Sequence, residues 1–246
     1  MTKLYLSIAK ENLSLYDKGL SHSKYVLISF FYERSNDIDY QNLFENVIVD
    51  SGAFTFLQKN HIEKDDIDNY VNDYIKYINK YDIEHYVEMD IDGVVPYEKV
   101  LRIREKLERE TGKQCIPIWH HSRGKNEFIK MCKEYKYSGI GGIAGGEELA
   151  RHRKNYKQLN ALARKNGSKL HGMGFTPLDI EKYSFYSVDS TSWKSGGRFG
   201  TTYKNDGTRM RSIQIPKGKR IKDYKMLNIY NLKQWIRFQY ELDRKR

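Results

Sequence analysis

Four apolar stretches of the sequence run directly into residues that can hold or move a proton. Val47-Ile48-Val49 ends in Asp50-Ser51-Gly52, Tyr86-Val87-Glu88-Met89 in Asp90, Ile116-Pro117-Ile118-Trp119 in His120-His121, and Phe185-Tyr186-Ser187-Val188 in Asp189-Ser190-Thr191. One aspartate after a strand is commonly a turn former or a helix cap. Several in one chain point to chemistry. Paired carboxylates can divide a displacement at a sugar anomeric carbon, one attacking while the other gives or takes a proton.

Other residues sit close to these groups. Gly139 to Glu147 is glycine-rich and follows a strand pattern, so its backbone N–H groups can approach a ligand. A phosphate cradle, the floor of a base pocket and a plain strand-to-helix turn all fit it, and no GxxxxGK[ST] pattern is present. The same alternatives apply to His171-Gly172-Met173-Gly174, where Met173 also suits a core. His120 and His121 are neighbours on one strand and point to opposite faces, so they read as polar pocket contacts rather than ligands of one metal. Phe54 and Trp193 lie near the two aspartates in sequence and suit either stacking on a base or packing.

These groups need a frame that gathers strand ends. Eight short runs predict strands: Leu4 to Ile8, Tyr25 to Phe30, Val47 to Asp50, His85 to Asp90, Ile116 to Trp119, Gly139 to Ala144, Lys169 to Met173 and Phe185 to Asp189. Between them Ile67, Val71, Tyr74, Ile75 and Ile78 repeat at helical spacing, as do Val100, Ile103 and Leu107 after Pro96. Phe128, Cys132 and Tyr135 predict another helix; Leu149, Tyr156, Leu159 and Leu162 a longer one; Leu232, Trp235, Ile236 and Gln239 a closing one. Strands alternating with helices predict a single-domain α/β fold of (β/α)₈-barrel type, whose functional groups gather at the C-terminal ends of the strands. Residues 194–225 break the pattern as a basic, Gly-rich excursion in which Ser212 to Ile215 alone reads as a strand.

The 246 residues are 39% hydrophobic and 30% charged, with 20 tyrosines supplying much of the large apolar surface. That is enough for one core. A formal charge of +11 makes a polyanion the expected partner, with a solvated basic surface as the bland alternative. Cys115 and Cys132, the only cysteines, exclude a disulfide framework and a cysteine-rich zinc site. The N-terminus lacks a signal pattern and no apolar run approaches a membrane span, so a cytoplasmic protein without membrane contact is expected.

The order of motifs resembles the tRNA-guanine transglycosylase superfamily, whose members share a (β/α)₈ barrel and exchange guanine for a 7-deazaguanine. Asp50-Ser51-Gly52-Ala53-Phe54 is similar to the family's Asp-Ser-Gly-Gly-Phe/Tyr motif, Gly141 to Glu147 to its Gly-Gly-Leu-Ala-Val-Gly-Glu loop, and His171 to Gly174 to its Leu-Met-Gly segment. Asp90 falls at a base-recognising aspartate and Asp189 at the nucleophile. The resemblance implies a covalent glycosyl intermediate on Asp189, proton transfer by Asp50, and a base pocket of Ser51, Phe54, Asp90, His120, Gly141, Gly142, Met173 and Gly174. Trp193, Lys194, Arg198, Arg209 and Arg211 would contact nucleic acid. No metal or organic cofactor is implied. Two departures stand out: His120-His121 replaces a Gln-Gly pair, and Pro-Thr-Arg is missing after Asp189. The family's zinc subdomain is also missing, which resembles the compact phage and bacterial branch acting on DNA. DNA is therefore the expected polymer and a free 7-deazapurine the co-substrate, with a homodimer or accessory protein compatible. The alternatives are a zinc-less enzyme acting on tRNA, a non-catalytic nucleic-acid-binding subunit, and an N-glycosidase.

Overall fold

The computed structural model describes residues 2–58, 64–142, 153–206, 210–214 and 223–244. Seven parallel strands form one curled sheet: β1 (Lys3–Ile8), β2 (Tyr25–Ser29), β3 (Asn46–Asp50), β4 (Ile118–Trp119), β5 (Tyr137–Ile140), β6 (Lys169–Gly172) and β7 (Ser187–Ser190). Their order is β3-β2-β1-β7-β6-β5-β4. Alternation decides what faces inward. Tyr5, Tyr25, Leu27, Ile48, Val87, Ile116 and Ile118 form the inner core, and a larger apolar cluster fills the space between strands and helices.

The predicted strand His85 to Asp90 builds no ladder of its own. Tyr86 bridges Val49 and Val87 bridges Ile116, both in parallel sense. Four backbone bonds hold this segment, among them Val87 N–H to Val49 O at 2.8 Å and Ile116 N–H to Tyr86 O at 2.7 Å. The pairing stops where Glu88 intervenes: its fully buried carboxylate accepts the Ile118 N–H at 2.6 Å, a donor that a longer ladder would have used, and pairs with Arg104 at 2.7 Å. The Tyr74 hydroxyl closes the seam, lying 3.0 Å from both Val49 O and Val87 O.

Helices cover the sheet unevenly. On α3 (Lys64–Lys80) Ile67, Val71, Tyr74, Ile75 and Ile78 are buried, and on α4 (Tyr97–Thr111) Val100, Ile103 and Leu107, with Pro96 one residue before the first turn. Two further helices are α5 (Gly124–Glu134) and α6 (Tyr156–Lys165), Leu149 lying outside the described residues. The β1 to β2 connection has only 3₁₀ turns, and β2 is followed by the single turn α1 (Phe30–Glu33). The strict β/α alternation expected from the sequence therefore fails here, although the β4 to β5 connection, of similar length, carries α5. The C-terminal helix α8 (Tyr224–Arg244) covers this side instead, its buried Gln239 amide donating to Leu4 O and Tyr25 O at 2.7 and 2.8 Å.

The basic excursion contains the short helix α7 (Ser195–Phe199) and an antiparallel hairpin of β8 (Thr201–Asn205) and β9 (Met210–Gln214). The sequence reading missed β8 because Thr-Thr-Tyr-Lys-Asn carries little apolar alternation. Asn231 of α8 anchors it, accepting from Tyr203 N–H and donating to Thr201 O, both at 2.9 Å. No described helix is long and apolar enough to cross a membrane.

Replacing Tyr74 by Phe removes the seam hydroxyl and keeps the ring. The expected cost is about 1 kcal/mol, a fall in melting temperature of roughly 2–4 °C for a domain of this size. Amide exchange at Val87 should accelerate; unchanged stability and exchange would show that the hydroxyl is not what holds the seam.

Candidate active site at the strand ends

The alternation that buries Tyr5, Ile48 and Ile118 brings Ser7, Asp50 and His120 inward one residue pair later, at the C-terminal end of the sheet. Register adds Asp189, level with Tyr5 across β1 and β7. Ser7 O–H donates to Asp189 Oδ2 at 3.1 Å, while Oδ1 accepts the Gly174 N–H at 2.5 Å and faces His171 Nε2 at 3.3 Å. Two donors and the edge of an imidazole thus converge on one carboxylate.

Asp50 has a different environment. Its carboxyl keeps a sliver of solvent access but is walled by protein, and its pKa is pushed up to about 7. Burial is the main cause, followed by the negative charges of Asp189 and Asp90; the N–H groups of Gly52 and Ser51 pull the other way. The Gly52 N–H reaches Asp50 Oδ2 at 3.2 Å because the chain turns back at φ +68°, where a Cβ would lie 2.5 Å from that of Phe31. Only glycine fits that turn.

The third carboxylate, Asp90, is neutralised. His120 Nε2 lies 2.8 and 2.9 Å from its two oxygens, and Arg123 bonds Asp92 at 2.7 Å and lies 3.7 Å from Asp90. Burial alone would depress the His120 pKa, but the hydrogen bond and charge of Asp90, helped by Asp92, outweigh it and raise it overall. Ligand atoms of Asp90, Asp92 and His120 lie within 4.8 Å of one another. That spacing would admit a metal ion; in this arrangement Arg123 pairs with Asp92 and His120 with Asp90, so the group reads as an ion-pair cluster. Sequence reasoning named neither Asp92 nor Arg123. The Asp-Ile-Asp repeat hinted at the first; the second comes from the turn after β4 and stacks on Tyr97, 4.3 Å from its ring.

Several other sequence-predicted residues have different surroundings from those expected. Trp193 is buried at 1% exposure, its indole N–H donating to Ser7 O, so it is a packing residue and cannot meet a nucleic acid. Gly141 was expected to offer its N–H to a ligand, but that N–H donates to Trp119 O at 3.0 Å. Its missing side chain leaves room for the His120 ring, whose Cε1 lies 2.5 Å from where a Cβ would be. The Gly174 N–H is likewise taken, by Asp189. His121 faces away from the mouth, against Trp119. Met173 packs on the inner core, Ser51 is buried with its carbonyl accepting from Tyr70, Phe54 is 74% exposed on the short helix α2 (Ala53–Gln58), and Gly142 is exposed. Lys194 lies over the Trp193 ring, and Arg211 pairs with Asp206 on the hairpin. Arg209 and the Ala144 to Glu147 motif lie outside the described residues, as does the side chain of Arg198.

No family model matches the chain, and no curated protein matches it either. Two of the solved structures it resembles are described as aldolases. One is described as a putative fructose-1,6-biphosphate aldolase from Coccidioides immitis, 9% identical over 98% of this chain and 87% of that one, with a TM-score of 0.50. Another, "QR15, an Aldolase", is 13% identical over 78% and 90% of the two chains, with a TM-score of 0.49. At such identities the likeness concerns the fold alone. The first likeness relates the curled sheet to a barrel fold, and the expected function is corrected: guanine exchange in DNA with a glycosyl intermediate on Asp189 finds no counterpart among these matches.

Two outcomes test the geometry. The raised pKa of Asp50 means that the folded protein keeps a proton the unfolded chain would release. This contribution to stability is complete below about pH 4 and is lost as pH rises through about 7. Asp50→Asn should therefore melt a few degrees above the wild type at pH 8, with a much smaller difference at pH 5; an equal difference at both would refute the shift. Gly141→Ala should cost roughly 1–3 kcal/mol by overpacking and displace His120 from Asp90. The His120 titration, followed by proton NMR, should then move to lower pH.

Proposed function

We propose that the chain is an enzyme that moves a proton on a small polyhydroxylated carbonyl compound at the open end of the barrel, with Asp50 as the acid/base group. The carrying observation is the Asp50 pKa of about 7 beside a second carboxylate held by Ser7, the Gly174 N–H and the His171 ring. A group that gives and takes protons works best near the operating pH. The negative charge of Asp189 helps sustain the proton affinity of Asp50. His120, made more basic by Asp90, supplies a cation able to polarise a carbonyl oxygen.

The reaction class follows from this division. Asp50 as carboxylate removes a proton from a carbon beside the carbonyl, or from a hydroxyl one carbon further on. The electron pair moves to the carbonyl oxygen, which takes a proton from His120; in the second case a carbon–carbon bond breaks. Schiff-base chemistry receives no support, since no lysine occupies the C-terminal end of a described strand. The formal charge of +11 supports an anionic substrate, a phosphorylated sugar first and nucleic acid as the polymeric alternative. The bridges at Tyr86 and Val87 support an eight-segment (β/α) barrel as the frame.

The test is deuterium exchange from heavy water into a panel of aldoses and ketoses, free and phosphorylated, followed by NMR together with any cleavage products. Exchange or cleavage should rise with pH through about 7, as Asp50 loses its proton, and fall again as His120 loses its own. Asp50→Asn should slow it by roughly 10²–10⁴-fold. Inertness toward every carbonyl sugar, with hydrolysis of glycosides or nucleosides instead, would replace this reading with glycosyl-bond hydrolysis.

A further inference from the structure

We propose that His171 is a positioning residue for Asp189, fixed in one tautomer by two hydroxyls, those of the half-buried Tyr137 and the buried Ser187. The role for Asp189 rests on the function proposed above; the tautomer does not. His171 and Ser187 are both fully buried inside the sheet. Ser187 Oγ lies 2.7 Å from His171 Nδ1 and 2.5 Å from Tyr137 Oη, and Tyr137 Oη lies 3.5 Å from the same Nδ1. On the other edge of the ring, Nε2 faces Asp189 Oδ1 at 3.3 Å.

Counting protons decides the tautomer. Two hydroxyls bring two protons into this enclosed cluster, and each must be donated. Burial raises the Tyr137 pKa far above the tyrosine range, so the phenol remains a donor. If Tyr137 donates to Ser187, Ser187 must donate to Nδ1; if Ser187 donates to Tyr137, the phenol must donate to Nδ1. In either arrangement Nδ1 accepts, and the ring proton belongs to Nε2, aimed at Asp189. A proton on Nδ1 would leave one buried hydroxyl without an acceptor, at a cost of about 1–3 kcal/mol.

This assigns separate tasks to the two oxygens of Asp189. His171 Nε2 and the Gly174 N–H together engage Oδ1, whereas Oδ2 receives, among the described residues, the Ser7 hydroxyl alone. Oδ2 is therefore the oxygen left to face Asp50 and a substrate, and His171 keeps the carboxylate from rotating Oδ1 into that place.

The experiment is long-range proton–nitrogen NMR on the uniformly ¹⁵N-labelled full chain near pH 7.5, which needs no substrate. His171 should show a protonated Nε2 and a bare Nδ1. Tyr137→Phe and Ser187→Ala each leave one hydroxyl for Nδ1 and should keep that pattern; the double variant should lose it. A wild-type ring carrying a proton on Nδ1 overturns the assignment outright, whatever the variants do. The positioning role is read separately, from the Asp50 carboxyl titration by carbon NMR. His171→Gln, whose amide N–H reaches toward Asp189, should keep the midpoint near 7, and His171→Phe should move it. An unmoved midpoint in the Phe variant overturns the positioning role. A confirmed tautomer in a protein inactive on carbonyl sugars would count against the proposed reaction and not against His171.

Discussion

Three carboxylates, Asp50, Asp90 and Asp189, are crowded at one end of a curled sheet, and like charges in a partly dry site cannot all remain ionised without help. The surrounding structure supplies a different remedy for each. Asp90 receives a histidine and the edge of an arginine, Asp189 receives a hydroxyl, a backbone N–H and an imidazole edge, and Asp50 receives, among the described residues, two backbone N–H groups and holds its proton until about neutrality. Much of the surrounding architecture follows. Gly52 turns back to reach Asp50, Gly141 makes room for the ring that serves Asp90, and Ser7 ends β1 where Asp189 needs a donor.

Behind these residues lies a second charged layer. Glu88 and Arg104 form a buried ion pair, with Arg123 3.8 Å from the same glutamate. Burial raises the Glu88 pKa, against the pull of Arg104 and the Ile118 N–H. Removing one member of such a pair strands the other charge in a dry setting, which costs far more than the pair contributes. The pair also ends the pairing of the Tyr86–Val87 segment, and so helps set where Asp90 leaves the sheet.

The positions of Asp50, His120 and Asp189 were legible in the sequence because strand alternation and apolar runs ending in polar residues are local signals. The opposite orientations of His120 and His121 were readable for the same reason. Arg123, Glu88 and the link from His171 to Asp189 were not, since each joins residues 16 or more apart whose meeting depends on tertiary geometry. Trp193 misled because sequence proximity to Asp189 says nothing about which way an indole points. The glycine motifs behind the family resemblance meet local needs here: a turn at Gly52, room for an imidazole at Gly141, a donated N–H at Gly174. A barrel can require such residues whatever reaction it hosts.

The tyrosines have a consequence at the other end of the pH scale. Tyr74 joins the seam carbonyls and Tyr70 holds Ser51 O at 2.6 Å, so phenol protons serve as fasteners beneath Asp50. Burial raises both pKa values, with the Asp50 charge adding to the effect. A phenolate made at either position would have to give up its carbonyl partner and enter an apolar wall that already contains a carboxyl. The unfolded chain releases these protons near pH 10, so above that point ionisation favours opening of the barrel. In strong alkali the ultraviolet change of these buried tyrosines and the collapse of the strand ends should therefore occur as one cooperative event, which makes the phenols the alkaline fuse of this fold.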